Sequence, residues 1–236
     1  FAGNIIVNLA SLPDFLRTPI LKKRMVEFFS KDELDKKEII NNYPIQEVVK
    51  ATELIFRAYE NENSIFAMAN GGNAGTVDHL YCDFTHHPFV SEDKHSNINE
   101  DIKRLKFINL CSSPAELTGL VNDFGVDDMY AAALRPQLKQ NDVVMGFSGS
   151  GNSKNIINAF KFAKDKQAIV ISISKGSGGE AHKLADVSIL IPGTSNFPGQ
   201  IGANDNNFHF EDAVLSINSI IVGMLKLKVE MMINES

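Results

Sequence analysis

The sequence predicts an α/β fold: a parallel β-sheet covered by helices on both faces, with further helices ahead of it. Three observations carry that expectation. Short apolar runs alternate with segments whose apolar residues recur every three or four positions. Each run is followed within two residues by Gly, Asn, Ser or Pro, the residues of a sharp exit from a strand. Strands that alternate with helices form parallel sheets, and their C-terminal ends then share one edge, where ligands bind.

Each element follows in order. Residues 10–62 read as two or three helices, with Leu21, Met25, Phe28 and Phe29 at helical spacing. After a break at Asn41-Asn42-Tyr43-Pro44, Ile45, Val48, Val49, Ile55 and Ala58 repeat the pattern. The first strand is expected over 64–69, running into Asn70-Gly71-Gly72-Asn73, with a helix over about 74–86. Residues 87–103 are polar and read as an exposed loop. The second strand falls at 105–110, and Pro114 suits the first turn of a helix. A turn is expected at 122–125, then a helix to about Leu138. Strands three, four and five fall at 142–147, 168–173 and 187–191. A loop rich in Gly, Asn and Pro covers 193–207, and a long helix runs from about 208 to 233. The chain thus divides into a helical segment, 1–62, packed on a core domain, 63–236.

Composition narrows the function. Hydrophobic residues make up 44 % and charged residues 22 %, ordinary values for a globular chain. The net charge of −6 argues against a nucleic-acid surface, which needs clustered Lys and Arg. A small anion remains compatible, because backbone N–H groups bind one without net positive charge. Cys82 and Cys111 lie in no CxxC or zinc-ligand spacing and read as reduced thiols. No apolar run reaches membrane-spanning length and no leader pattern opens the chain, so the expectation is a cytoplasmic protein without a membrane partner.

The loop Phe147-Ser148-Gly149-Ser150-Gly151-Asn152-Ser153 joins an apolar strand to a helix. Its serines supply hydroxyls, its glycines allow a tight concave turn, and the helix start adds unpaired N–H groups and a positive dipole end. These suit a phosphate. The plainer alternative is a helix cap on a Gly-rich turn, since Ser and Gly are ordinary helix-start residues. Asn70-Gly71-Gly72-Asn73 opens a helix at the same sheet edge and strengthens the ligand reading. On that helix His79 and Asp83 stand four residues apart and share a face. Such a pair can hold a divalent metal, pose a general base, or make a local surface hydrogen bond.

The stretches NGGNAGTVDH, VNDFG and GFSGSGNSKNIINAFKFAK resemble the sugar-isomerase (SIS) domain proteins, and within them the phosphoheptose isomerase group. The resemblance covers about residues 40–230. It implies a three-layer αβα sandwich around a five-stranded parallel sheet, usually assembled as a homotetramer with sites between subunits. It implies isomerisation of sedoheptulose 7-phosphate or a similar sugar phosphate. By resemblance the phosphate loop falls on Ser148, Gly149, Ser150 and Ser153, and substrate contacts on Asn70, Gly71, Asn73 (where the family has Ser), Asp123 and Glu211. The metal-binding His falls on His79, and the catalytic carboxylate, Glu in better-known members, on Asp83. Zinc is therefore a possible cofactor, with His79, Asp83 and Glu211 as ligands of a weak or absent site.

The C-terminal helix departs from the family pattern, which has a Gln ligand and a catalytic His eight residues on. One register places Glu211 and Ser219 there; the other places Phe210 and Asn218. Neither supplies the His. His209 at the helix start, or His86, His87 and His95 near the polar loop, are candidate substitutes, although solvent exposure is the plainer expectation for each. Two functions follow from the resemblance: an aldose–ketose isomerase with Asp83 as base and His79 as its partner, or a non-catalytic sugar-phosphate sensor or protein-binding regulator. The final helix carries Val214, Ile217, Ile220, Ile221, Met224 and Leu225 on more than one side, which predicts a homo-oligomer.

Overall fold

The computed structural model of the chain describes residues 19–192 and 207–235. Helices α1 (Pro19–Asn41) and α2 (Ile45–Glu60) lead into β1 (Ser64–Ala69) and α3 (Gly72–His86). A short 3-10 turn, His87–Phe89, precedes β2 (Lys106–Asn109), α4 (Pro114–Phe124) and α5 (Met129–Leu134). Then come β3 (Val143–Phe147), α6 (Lys154–Asp165), β4 (Ile169–Lys175), α7 (Gly179–Leu184), β5 (Val187–Ile191) and α8 (Asn207–Glu235). All five expected strands are present. Two helix ends differ by more than two residues. The turn expected at 122–125 is helical through Phe124 and is ended by Gly125, whose φ of 80° suits only glycine. The helix expected to reach Leu138 stops at Leu134. The expected helix over 10–18, the side chains of Leu21, Met25, Phe28 and Phe29, and the loop at 193–206 lie outside the described residues.

The sheet order is β2-β1-β3-β4-β5, with every pair parallel. The chain steps outward from β1 to β2, then returns to lay β3 on the other side of β1. That reversal makes the gap between the ends of β1 and β3 a topological switch point, where departing loops open a crevice.

Strand residues alternate between two cores. Ile65, Ala67, Met145, Ile171 and Ile173 share one with α2, α3 and α8. Phe66, Met68, Val144 and Val170 share the other with α5 and α6. The result is the expected three-layer sandwich. All five residues of β3 are buried, as a strand covered on both faces requires. Helix α2 buries Val48, Ala51, Thr52 and Ile55 at helical spacing and so belongs to the first core. Helix α8 is not apolar all round. Phe210, Val214, Ile217, Ile221 and Leu225 face the core, while Ile220, Leu227 and Met231 form a separate exposed stripe.

A polar cluster ties α1 to the start of α8. His209 Nε2 lies 2.8 Å from Asp32 Oδ1. Lys36 Nζ reaches Asp32 Oδ2 at 3.3 Å and Asp212 Oδ2 at 2.9 Å. Burial alone would raise the Asp32 carboxyl, but hydrogen bonds to His209 and Lys36 outweigh it and hold the group below the usual range. The bond to Asp212 leads the causes that hold Lys36 above its usual value. The sequence reading of His209 as an exposed residue at the ligand edge is therefore corrected: it is 1 % exposed and turned toward α1. Among the described residues, no helix is long and apolar enough to cross a membrane.

Candidate functional site

The loop from β3 to α6 keeps its donors open. Ser153 is the residue before α6, yet its side chain makes no capping bond. Its Oγ lies 2.9 Å from Ser148 Oγ instead. Ser150 Oγ accepts from Asn152 N at 3.2 Å, which closes the turn locally. Among the described residues no acceptor takes the N–H groups of Gly149, Ser150 or Ser153. Free N–H groups over a helix start attract an anion. Gly151 is confined to glycine by a φ of 65°, and a Cβ there would overlap the carbonyl of Gly178. That contact stacks the serine loop on the loop after β4. Ala181 N donates to Gly151 O at 2.9 Å, and Glu180 N to Asn152 Oδ1 at 3.1 Å.

The loop from β1 to α3 forms the opposite wall. Gly71 turns the chain with a φ of 59°. The side-chain amides of Asn70 and Asn155 bond reciprocally, at 3.0 and 2.8 Å, which joins the end of β1 to the start of α6 across the switch point. Asn73 is 4 % exposed, and its Oδ1 finds no partner among the described residues. Beneath Asn70, Tyr130 Oη donates to the Ala69 carbonyl and Cys111 Sγ lies 3.4 Å from the phenol. Burial pushes both the Tyr130 phenol and the Cys111 thiol up.

Helix α8 closes the third side. A Cβ on Gly72 would stand 2.5 Å from Glu211 Oε2, and one on Gly149 would stand 2.6 Å from Asn207 Oδ1. Asn207 Nδ2 donates to Glu211 Oε1 at 3.3 Å. Together Asn70 to Asn73, Phe147 to Ser150, Ser153, Asn207 and Glu211 line a cavity of about 240 Å³. Glu211 is the one carboxylate among the described lining residues. Burial first, and the charge of Asp212 second, raise its carboxyl above the usual range.

Other expected site residues lie elsewhere. His79 Nε2 is 3.0 Å from Asp83 Oδ2, as the four-residue spacing predicted. His87 Nε2 is 3.4 Å from Asp83 Oδ1, so one carboxylate is flanked by two imidazoles. This group does not line the cavity. Asp83 lies eleven residues beyond Gly72, about 16 Å along the axis of α3. Asp123 is exposed, with Oδ1 bonded to its neighbour Asn122 at 3.0 Å, and it also lies off the cavity wall. The loop 110–113, which leaves the C-terminal end of β2, contributes no lining residue. His86 and His95 lie away from it as well. A zinc site needs about three protein donors converging on one point. Among the described residues no three His, Cys, Asp or Glu side chains form such a group, so within one chain His79, Asp83 and Glu211 do not converge on one point.

Residues 115–205 match the SIS domain model. The chain is 32 % identical over 167 residues to phosphoheptose isomerase 2 of Campylobacter jejuni, covering 70 % of this chain and 78 % of that protein. The chain belongs to the phosphoheptose isomerase family. A phosphoheptose isomerase of Helicobacter pylori is 29 % identical over 70 % of this chain and 80 % of its own length. The fold agrees with the solved phosphoheptose isomerases of Neisseria gonorrhoeae and Francisella tularensis. The first gives a TM-score of 0.68 at 23 % identity, over 87 % of this chain and 98 % of that one. The second gives 0.70 at 19 % identity, over 89 % and 99 %.

Three cavity features of this family member escaped the sequence reading. Asn155 was hidden because its bond to Asn70 spans 85 positions. Asn207 was assigned to a loop, one residue ahead of the expected helix. Gly72 was read as a turn residue, whereas its missing side chain admits the Glu211 carboxylate.

Proposed function

We propose that the chain is an aldose–ketose isomerase acting on sedoheptulose 7-phosphate or a similar sugar phosphate. The observation that carries this reading is the uncapped start of α6 facing Glu211 across one cavity. One side offers hydroxyls and N–H groups to a phosphate, and the other offers a carboxylate to a carbon acid. Anchoring by the remote phosphate orients the sugar carbons for proton transfer.

The reaction needs a base at C1 of the ketose. Removing that proton sends the C–H electrons into a C1–C2 double bond and the carbonyl electrons to O2, giving an enediolate. Transfer of the O1 proton to O2 and return of a proton to C2 yield the aldose, with its carbonyl at C1. We assign the transfer to Glu211, because it touches the cavity and Asp83 does not. Its raised carboxyl suits a base, since a proton acceptor works best with a pKa nearer the working pH. Asn207 holds Glu211 in place through its amide. The buried, unpartnered Asn73 Oδ1 marks where a sugar hydroxyl can donate.

The second reading, a sugar-phosphate sensor, is favoured by α8. Ser219 is exposed and bonds Leu215 O at 3.1 Å, while Asn218 is buried, so neither alignment register supplies an imidazole to the cavity. One experiment separates the two. The protein is incubated with sedoheptulose 7-phosphate in heavy water, and deuterium at C1 of the ketose or C2 of the aldose is followed by NMR. Incorporation identifies an isomerase. Thermal stabilisation by the sugar phosphate without incorporation identifies a sensor. We also propose a homotetramer, on the exposed stripe Ile220, Leu227 and Met231 of α8, and light scattering giving a stable monomer would reject it.

A further inference from the structure

We propose that Lys175 is the cation of the phosphate site, its ammonium group pairing with the phosphate held by Ser148, Ser150 and Ser153; this rests on the sugar-phosphate reading above. No resemblance or motif pointed to it.

Strand geometry places the side chain. Along β4 the residues Ile171 and Ile173 face the core shared with α8. Side chains alternate along a strand, so Lys175, the last residue of β4 and two positions beyond the residue that pairs with the end of β3, emerges on that same face. Its backbone N–H donates to Gly149 O at 3.1 Å, which fixes the strand end against the serine loop. Its Cε lies 3.6 Å from where a Cβ on Gly149 would stand, and Asn207 Oδ1 lies 2.6 Å from the same point. The aliphatic arm therefore runs along the serine loop beside a residue that lines the cavity. The ammonium group is one bond further on.

Charge supplies the second line of support. The described cavity lining contains one ionisable carboxylate, Glu211, and no cation. The chain as a whole carries −6. A phosphate dianion brought beside Glu211 repels it unless a positive group stands nearby. Lys175 adjoins the loop on the α8 side, and a lysine is a compact point charge with three donors, a common phosphate partner. In this arrangement serine hydroxyls and backbone N–H groups set the geometry of the phosphate. Lys175 sets the preference for a charged ligand over the free sugar.

The test is calorimetric titration of the full chain with sedoheptulose 7-phosphate and with inorganic phosphate, at low and high salt. The variants are Lys175→Met, which keeps the arm and removes the charge, Lys175→Arg, and Ser150→Ala. Circular dichroism melting checks that each is folded. Lys175→Met is expected to weaken both ligands roughly tenfold to a hundredfold, the range of a hydrogen bond to a charged group, and to flatten the salt dependence. Lys175→Arg, which fits even if the Met variant does not fold, is expected to keep the salt dependence. A folded Lys175→Met protein with wild-type affinity and wild-type salt dependence overturns the assignment. So does a salt dependence absent from the wild type and from Lys175→Arg alike. If Ser150→Ala weakens binding and Lys175→Met does not, Lys175 is excluded and the serine loop stands. If neither matters, the phosphate reading falls with it.

Discussion

Two helices of this protein begin after a serine, and they use it in opposite ways. Ser113 precedes α4 and accepts from Glu116 N at 3.2 Å, with Pro114 occupying the first helical position. That start is closed: one donor is capped and another is absent. Ser153 precedes α6 and caps nothing; its hydroxyl turns to Ser148 and the neighbouring N–H groups stay open. The same residue type at the same local position serves stability in one case and leaves a binding surface in the other. What decides between them is the sheet. The α6 start stands at the switch point between β1 and β3, whereas the α4 start follows the edge strand β2.

The largest effect expected concerns what faces the open start. Glu211→Gln keeps the shape of the cavity and should lower turnover by about 10²–10⁴-fold, the usual value of a positioned base, with sugar-phosphate affinity retained. Asp83→Asn, altering the carboxylate between His79 and His87, should cost far less. Steady-state kinetics with the two variants decides the matter; a reversed order moves the base to α3. The acid limb of kcat/KM should also lie above the range of an ordinary Glu, because burial raises the Glu211 carboxyl and activity requires its ionised form.

Next in size is the contrast between the serines themselves. Ser150→Ala and Ser153→Ala should weaken sugar-phosphate binding about tenfold or more. Ser113→Ala should leave binding unchanged and lower stability by about 1 kcal/mol, the typical cost of losing a cap. Calorimetry and urea unfolding measure the two quantities on the same three proteins. If Ser153→Ala costs only stability, the open start is an ordinary helix end.

How far the sequence reveals this contrast depends on the range of the interactions. The serine loop was legible because strand, glycines and helix lie within a dozen residues. The His79–Asp83 pair was legible for the same reason. The parallel sheet could be read from the alternation of elements, although the strand order that makes the switch point could not. The role of Glu211 depended on the rotation of α8. Two registers were open until packing buried Phe210 and turned Glu211 to the cavity. His209 was misread because nothing local shows that α1 covers it. Asp123, placed by resemblance, lies on a helix end that points to solvent in this chain.

The smallest effect tests that distant packing. Asp32 titrates below the usual carboxylate range, so its contribution is full above its unfolded pKa and disappears as pH falls through the folded value. Asp32→Asn should therefore destabilise the protein at neutral pH and cease to matter in strong acid. The site is partly open to solvent, which limits the effect to about 1 kcal/mol or less. Urea midpoints of wild type and variant at neutral and strongly acid pH measure it, and a constant difference across that range would refute the linkage.

The contact of Gly151 with the Gly178 carbonyl has a wider consequence. The serine loop carries no independent hinge on that side: its backbone is seated on the turn that starts α7, with Glu180 and Ala181 bonded back to Asn152 and Gly151. A phosphate that steadies the loop thereby steadies α7, whose short length gives it little cohesion of its own. A ligand at the serine loop thus also keeps the outer margin of the sheet in order, and wear at that margin is felt first as lost affinity.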